Sequence, residues 1–333
     1  MNKQLAQEIK AEIEKAQHIL LQCHVSPDPD SVGSVTAMYQ ALKGMGKKVT
    51  AIQGDSQIPK AFRDIPFVEV IEKKNYFEVD LNDFDLFIIL DSASIDRISI
   101  IKPVVFPEHL KTIVIDHHVS NPGFANINLI DAAYVATCQI LYDLFMIWEI
   151  PVTPDMAKSL FTGVYTDSGG FKYRGATYEL LEVGAKLAKI APDYAKALFT
   201  MENSTTREKL LFDGLALSNI EVACGGNLAI SKVSHKDISA NNITTEDMSS
   251  HFIANTLKSV EGWNIGVAMI EQIPGLVKMS FRTRNPDVYD LSKISAALGG
   301  GGHKAAAGVH MKASLEEARN AVVKVVDEYI KAL

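Results

Sequence analysis

Two hydrophobic periods alternate along the chain. Continuous apolar runs rich in β-branched residues, "HILLQC" (18–23), "KKVTAIQ" (47–53), "DLFIILD" (85–91) and "KTIVIDHH" (111–118), are bounded by polar turns. Such runs predict parallel strands buried on both faces. Between the first two, "DSVGSVTAMYQALKGMG" (30–46) carries its apolar residues at helical spacing. From about Asp131 to Ile190 the pattern is mostly helical, with "TCQILYDLFMIWEI" and "TPDMAKSLFTGVYTD" as clear elements and Pro154 near the start of the second. Residues 191–222 read as a helical linker. Strand and helix patterns restart with "NLAISKVS", "WNIGVAMIEQ" and "LVKMSFRTR", followed by a terminal helix from Ser314. The fold class expected is α/β: an N-terminal domain (1–190) with a parallel sheet flanked by helices and a helical extension, and a smaller C-terminal α/β domain (223–333). The active site is expected in the cleft between them.

Composition adds limits. At 333 residues the chain exceeds the usual size of one hydrophobic core, and 47 % apolar with 22 % charged residues is ordinary for globular domains. No apolar run approaches the roughly 20 residues that cross a bilayer. The start, "MNKQLAQEIKAEIEKAQ", reads as an amphipathic helix without a signal-peptide core, so a cytoplasmic protein with no membrane partner is expected. Cys23, Cys138 and Cys224 are odd in number and set in apolar contexts, which predicts core packing. A net charge of −7 argues against coating long nucleic acid, because that work neutralises many phosphates with Lys and Arg.

The acidic residues are where the pattern becomes chemical. In parallel sheets ligands bind beyond the carboxyl ends of the strands. "ILLQC" runs into His24, Asp28 and Asp30, "LFIIL" into Asp91, and "TIVI" into Asp116, His117 and His118, while Asp167 lies in "VYTDSGGF" before two glycines. A lone carboxylate at a strand end is usually a helix cap or a solvated turn. Five carboxylates and three histidines at one sheet edge need positive compensation. Asp28, Asp30, Asp91 and Asp167 carry four negative charges, which two divalent cations would balance. Oxygen and imidazole donors without thiolates suit Mn2+, with Mg2+, Co2+ or Fe2+ as alternatives, and argue against structural zinc. Pro27 and Pro29 are expected to hold Ser26 and Asp28 extended.

"HVSPDPDSVGS", "LDSAS", "DHH" and "YTDSGGF" resemble, in order and spacing, the four motifs of the DHH phosphoesterase superfamily. "GGGGHKAAAG" (299–308) resembles the glycine-rich signature of its DHH-associated C-terminal domain. The resemblance covers nearly the whole chain and is greatest to the NrnA-type branch, whose members hydrolyse very short oligonucleotides and, in many cases, the 3′-phosphate of phosphoadenosine phosphate. It implies His24, Asp28 and Asp91 on one metal ion and Asp30, Asp91, His117 and Asp167 on the other, with Asp91 bridging. It also implies catalytic roles for His118, facing the substrate phosphate, and for Asp116, orienting its neighbours. Many relatives have glycine where this chain has Pro29, so any contact from that amide is missing here.

The activity expected is that of a two-metal phosphoesterase using a metal-bound hydroxide on dinucleotides, linear products of cyclic dinucleotides or 3′-phosphoadenosine 5′-phosphate. Substrate would be gripped by the second domain. Arg282 and Arg284, two residues apart, are expected on one strand face, and Gly300, Gly301 and Gly302 with His303 and Lys304 form a loop whose backbone can approach a phosphate. An inorganic pyrophosphatase and a nucleotide-sensing module without turnover are the competing readings, and a homodimer stays open.

Overall fold

The four apolar runs of the first half form the middle of one sheet. The computed structural model describes residues 1–173, 175–248 and 250–333, and the chain divides into two units, Met1–Ser204 and Thr205–Leu333. In chain order the first contains α1 (Lys3–Lys15), β1 (His18–Gln22), α2 (Pro29–Gly44), β2 (Lys48–Ile52), β3 (Ile71–Glu72), β4 (Leu86–Leu90), β5 (Lys111–Asp116), β6 (Ile127–Ile130), α3 (Thr137–Ile147), α4 (Pro154–Asp167), α5 (Tyr178–Ile190) and α6 (Ala195–Glu202).

The strand order is β3-β2-β1-β4-β5-β6 and every pairing is parallel. Ile19, Leu21, Ile88, Leu90, Ile113 and Ile115 pack one face against α1 to α5. Leu20, Phe87, Ile89 and Val114 pack the other against Tyr76, Phe84, Ile98 and Val104 from short 3-10 turns and loops. Burial on both faces is why these strands read as unbroken apolar runs. The order reverses between β1 and β4, and connections that leave neighbouring strands in opposite directions open a crevice beyond their carboxyl ends.

The second unit contains α7 (Arg207–Ser218), β7 (Ile220–Ala223), β8 (Leu228–Val233), α8 (His235–Ala240), α9 (Ser250–Ser259), β9 (Ile265–Ile273), β10 (Leu276–Thr283), α10 (Leu291–Ala297), β11 (Gly301–His303), β12 (Ala306–Lys312) and α11 (Leu315–Lys331). Its sheet runs β11-β12-β10-β9-β8-β7, antiparallel except for β8 beside β9. Ser314 caps α11 in a reciprocal box with Glu317, the start that the sequence signals. The stretch 191–222 is shared between the units. It supplies α6 to the first, and α7 to the second, where Phe212 and Ala216 enter the core. Among the described residues no helix is long and apolar enough to cross a membrane.

Candidate metal centre

Three adjacent strand ends at the reversal point deliver the acidic and imidazole groups. His24 follows β1, Asp91 follows β4, and Asp116 ends β5 with His117 and His118 directly after it. The start of α2 adds Asp28 and Asp30, and the last residue of α4 is Asp167. Asp28 is the N-cap of α2: its Oδ1 accepts from Ser31 N at 3.0 Å, and its Oδ2 lies 3.3 Å from His24 Nε2. Pro29 occupies the first helical position, where an N–H would have no helical partner and a fixed φ is favourable. Asp28 is extended as expected, but Ser26 is not. Its φ is +57°, because the chain reverses there between β1 and α2.

Asp91 is 2 % exposed and has a left-handed φ of +54°, a conformation worth of order 1 kcal/mol of strain for a non-glycine residue. It turns the chain so that both carboxylate oxygens are used. Oδ2 lies 3.3 Å from His24 Nε2, and Oδ1 lies 3.5 Å from His117 Nε2. His117 Nε2 is also 3.4 Å from Asp167 Oδ2. Ligand atoms fall into three groups, each within 4.8 Å: His24, Asp28 and Asp91; Asp30, His117 and Asp167; and Asp91, His117 and His118. Each group could hold a metal ion. His117 Nε2 tests the fit, for it is buried with no hydrogen-bond partner among the described residues although two carboxylate oxygens converge on it. Ligands about 2.1 Å from one cation and roughly at right or tetrahedral angles lie about 3.0–3.5 Å from each other, so the observed spacing suits a shared divalent ion.

Electrostatics give the same account. Burial lowers the His24 pKa, but the hydrogen bonds of Asp28 and Asp91 outweigh it and hold the imidazole up at about 10. Burial, reinforced by the charges of Asp91 and Asp28, pushes Asp30 far above the usual carboxylate range. Asp167 is pushed up to about 10 by burial and by Asp30, Asp28 and Asp91. His117 is lowered, chiefly by burial. With no cation present, the cluster is short of positive charge.

A second chain of contacts leads outward. His118 Nδ1 lies 2.7 Å from Asp116 Oδ1, and Asn121 Nδ2 donates to Asp116 Oδ2 at 2.7 Å and to Ser92 O at 2.9 Å. Burial raises the Asp116 carboxyl, yet the bonds from His118 and Asn121 prevail and hold it below its ordinary value. The hydrogen bond to Asp116 raises the pKa of His118, whose side chain is 39 % exposed. Asn121 was missing from the sequence reading, as were Thr137, whose hydroxyl reaches Asp91, and Arg97, whose Nη2 is 2.8 Å from His24 Nδ1. An Asn–Pro turn three residues after the histidine pair was the available signal for Asn121.

In the second unit, Arg282 on β10 and His303 on β11 are both paired with Ala306 of β12, so the three side chains share one face. Arg284 lies just beyond β10, its guanidinium bonded to Val260 O at 2.9 Å. The glycine-rich stretch is not an open loop but an edge strand and hairpin, with Lys304 exposed near the turn. Packing explains two glycines: a Cβ on Gly300 would lie 2.3 Å from Gly308 O, and Gly302 has φ +143° with its Cβ position 2.5 Å from Ala307 Cα. Gly301 has open space.

A parallel sheet whose reversal point gathers carboxylates and imidazoles defines a scaffold that could hold metal ions. The "DHH family, N-terminal domain" matches residues 18–164 and the "DHHA1 domain" matches residues 225–332. The bifunctional oligoribonuclease and PAP phosphatase NrnA of Thermus thermophilus is 30 % identical over 325 residues, 96 % of this chain and 92 % of the relative. The protein of the same name from Mycoplasma genitalium is 24 % identical over 89 % of each chain. The crystal structure of an exopolyphosphatase-related protein from Bacteroides fragilis shares the fold, with a TM-score of 0.89 and 22 % identity over 98 % of this chain and 96 % of that one. The chain belongs to the DHH family, with a DHHA1 domain as its second part.

Proposed function

We propose that the chain is a divalent-metal phosphoesterase, with Mn2+ as its ion, that hydrolyses short oligonucleotides and 3′-phosphoadenosine 5′-phosphate. The observation that carries this reading is the buried His117 Nε2, without a hydrogen-bond partner among the described residues, facing the carboxylates of Asp91 and Asp167. His24, Asp28 and Asp91 would hold one ion and Asp30, Asp91, His117 and Asp167 a second, as two of the ligand groups suggest. Divalent ions held there would neutralise phosphoryl charge and acidify the attacking water. The relatives' activity supports the choice of substrate.

The chain's own residues have separable tasks. Asp116 accepts from His118 Nδ1–H, which leaves Nε2 of this partly exposed ring as the donor to a phosphoryl or leaving-group oxygen. Asn121 donates to the other oxygen of Asp116 and so anchors the carboxylate that holds the imidazole. Arg282 and His303, on one face across the Ala306 row, are suited to gripping the terminal phosphate or base of a short substrate.

The test is an assay of purified full-length protein, with Mn2+ and with chelator, against dinucleotides, phosphoadenosine phosphate and pyrophosphate. Turnover of either nucleotide substrate that chelator removes is expected. Rapid pyrophosphate hydrolysis without nucleotide hydrolysis, or turnover indifferent to chelator, would overturn the proposal. Arg282→Ala and His303→Ala should lower kcat/KM on a dinucleotide by about 10- to 150-fold and spare a small chromogenic phosphodiester.

A further inference from the structure

Helix α3 begins without a cap of its own. Its N-cap position is Ala136, extended at φ −145° and ψ 148°, and no side chain of that residue satisfies the first N–H groups. Asp30, more than a hundred residues earlier, takes over: Oδ2 accepts from Thr137 N at 2.7 Å and Oδ1 from Cys138 N at 2.9 Å. The hydroxyl of the same Thr137 donates to Asp91 Oδ1 at 3.0 Å. All three residues are buried, Thr137 and Asp30 at 0 % and Asp91 at 2 % exposure.

One residue therefore touches a carboxylate from each of two ligand groups, Asp91 beside His24 and Asp28, and Asp30 beside His117 and Asp167. Among the described residues no polar contact to the Asp91 carboxylate is shorter, the imidazoles standing at 3.3 Å or more. A hydrogen on Oδ1 uses one lone-pair direction and leaves the other for the side where His117 lies. Thr is also stiff at χ1, and its helix start lends partial positive charge to both acids.

We propose that Thr137 is a positioning residue of the metal centre, its backbone N–H holding Asp30 and its hydroxyl setting the rotation of Asp91 so that both carboxylates face the cations together. This rests on the metal reading above. Donors that orient metal ligands are commonly worth about 10- to 100-fold in metal affinity. Ser31 plays a different part, bonding the backbone N of His24 and capping against Asp28 without reaching both groups.

The test uses the full chain stripped with chelator, as wild type, Thr137→Val, Thr137→Ser and Thr137→Ala. Mn2+ binding is read by calorimetry and by the paramagnetic signal of free Mn2+, with melting of each metal-free protein alongside. Thr137→Val is expected to weaken Mn2+ binding by about 10- to 100-fold, and Thr137→Ser, which keeps the hydroxyl, by no more than about threefold. Wild-type affinity in Thr137→Val, or equal loss in Thr137→Ser and Thr137→Val, would overturn the proposal, the second because it would assign the effect to the lost methyl. If Thr137→Val does not fold, the Ser and Ala variants carry the same comparison. A wild-type protein that binds no Mn2+ would instead refute the metal reading itself.

Discussion

Removing a carboxylate whose charge burial and its acidic neighbours disfavour should stabilise the metal-free protein while weakening its response to metal. Asp167→Asn is the cleanest case. Its ligand atom and that of Asp30 lie within 4.8 Å of each other, so two ionised carboxylates would repel by about 3.5 kcal/mol at an effective dielectric constant of about 20. Asp167 is also the last residue of α4, where the helix end is itself partly negative. Holding a proton relieves part of this, so a gain of about 1–3 kcal/mol is expected at mildly alkaline pH. For a unit of this size each kcal/mol moves Tm by about 2–4 °C. The metal-free variant should therefore melt about 2–12 °C above the metal-free wild type. Adding Mn2+ should raise the wild type and raise the variant by less, because Asp167 belongs to only one of the two ion-holding groups while His24, Asp28 and Asp91 remain. Calorimetric melts of both proteins, in chelator and in a Mn2+ series, decide the matter. A variant that melts lower than wild type in chelator, or one that gains as much from Mn2+, would show that Asp167 is structural and not a ligand under electrostatic load.

Gly163→Ala should lower stability by about 1–3 kcal/mol and weaken metal binding, since its Cβ would lie 2.4 Å from Cys138 Sγ and 2.5 Å from Asp30 Oδ1. Gly44→Ala, with nothing within 4 Å, should be neutral or slightly stabilising in the same melt. Asp28→Asn should keep the α2 cap but lose the charge that faces His24, whereas Asp28→Ala should lose about 1 kcal/mol of cap energy as well and melt lower than Asp28→Asn; Mn2+ titration should show both impaired. Glu221 receives Arg319 Nε at 2.6 Å and Lys232 Nζ at 2.9 Å, and its pKa is held down chiefly by Arg319. A depressed carboxyl pKa stabilises the fold above the unfolded value and loses that contribution as pH falls. Glu221→Gln should therefore cost about 1 kcal/mol at neutral pH, a difference that shrinks below about pH 4.3 in pH-dependent melts.

The sheet was legible wherever both faces are buried. β1, β2, β4 and β5 lie inside the sheet, and their apolar runs reflect packing on two sides. The strands that escaped notice are the ones at or near sheet edges. β3 has two residues, β6 alternates buried and half-buried positions, and β11 is two glycines and a histidine held against β12. Their pairing comes from neighbours distant in sequence, which no local period encodes. The acids were legible for the opposite reason, because carboxylates that follow an apolar run contradict the cost of burying charge. Thr137 and Asn121 carry no charge, and neutral polar residues at a helix start or in a turn look like ordinary local capping.

Capping is built into the acidic cluster itself. Asp28 closes α2 with one oxygen and faces His24 with the other, and Asp30 spends both oxygens on the first N–H groups of α3 while lying beside His117 and Asp167. Charge-assisted bonds from backbone N–H are stronger than neutral ones, and two helix starts contribute partial positive charge. The fold thus supplies a fraction of the counter-charge before any ion arrives, enough to keep the carboxylates in place but not enough to neutralise them, as the raised pKa values of Asp30 and Asp167 attest. A cap that satisfied the acids fully would leave no driving force for a divalent cation. An uncapped cluster would repel itself apart. His117, whose buried Nε2 has no hydrogen-bond partner among the described residues, marks where the fold stops compensating and where, on the proposed reading, an ion would take over.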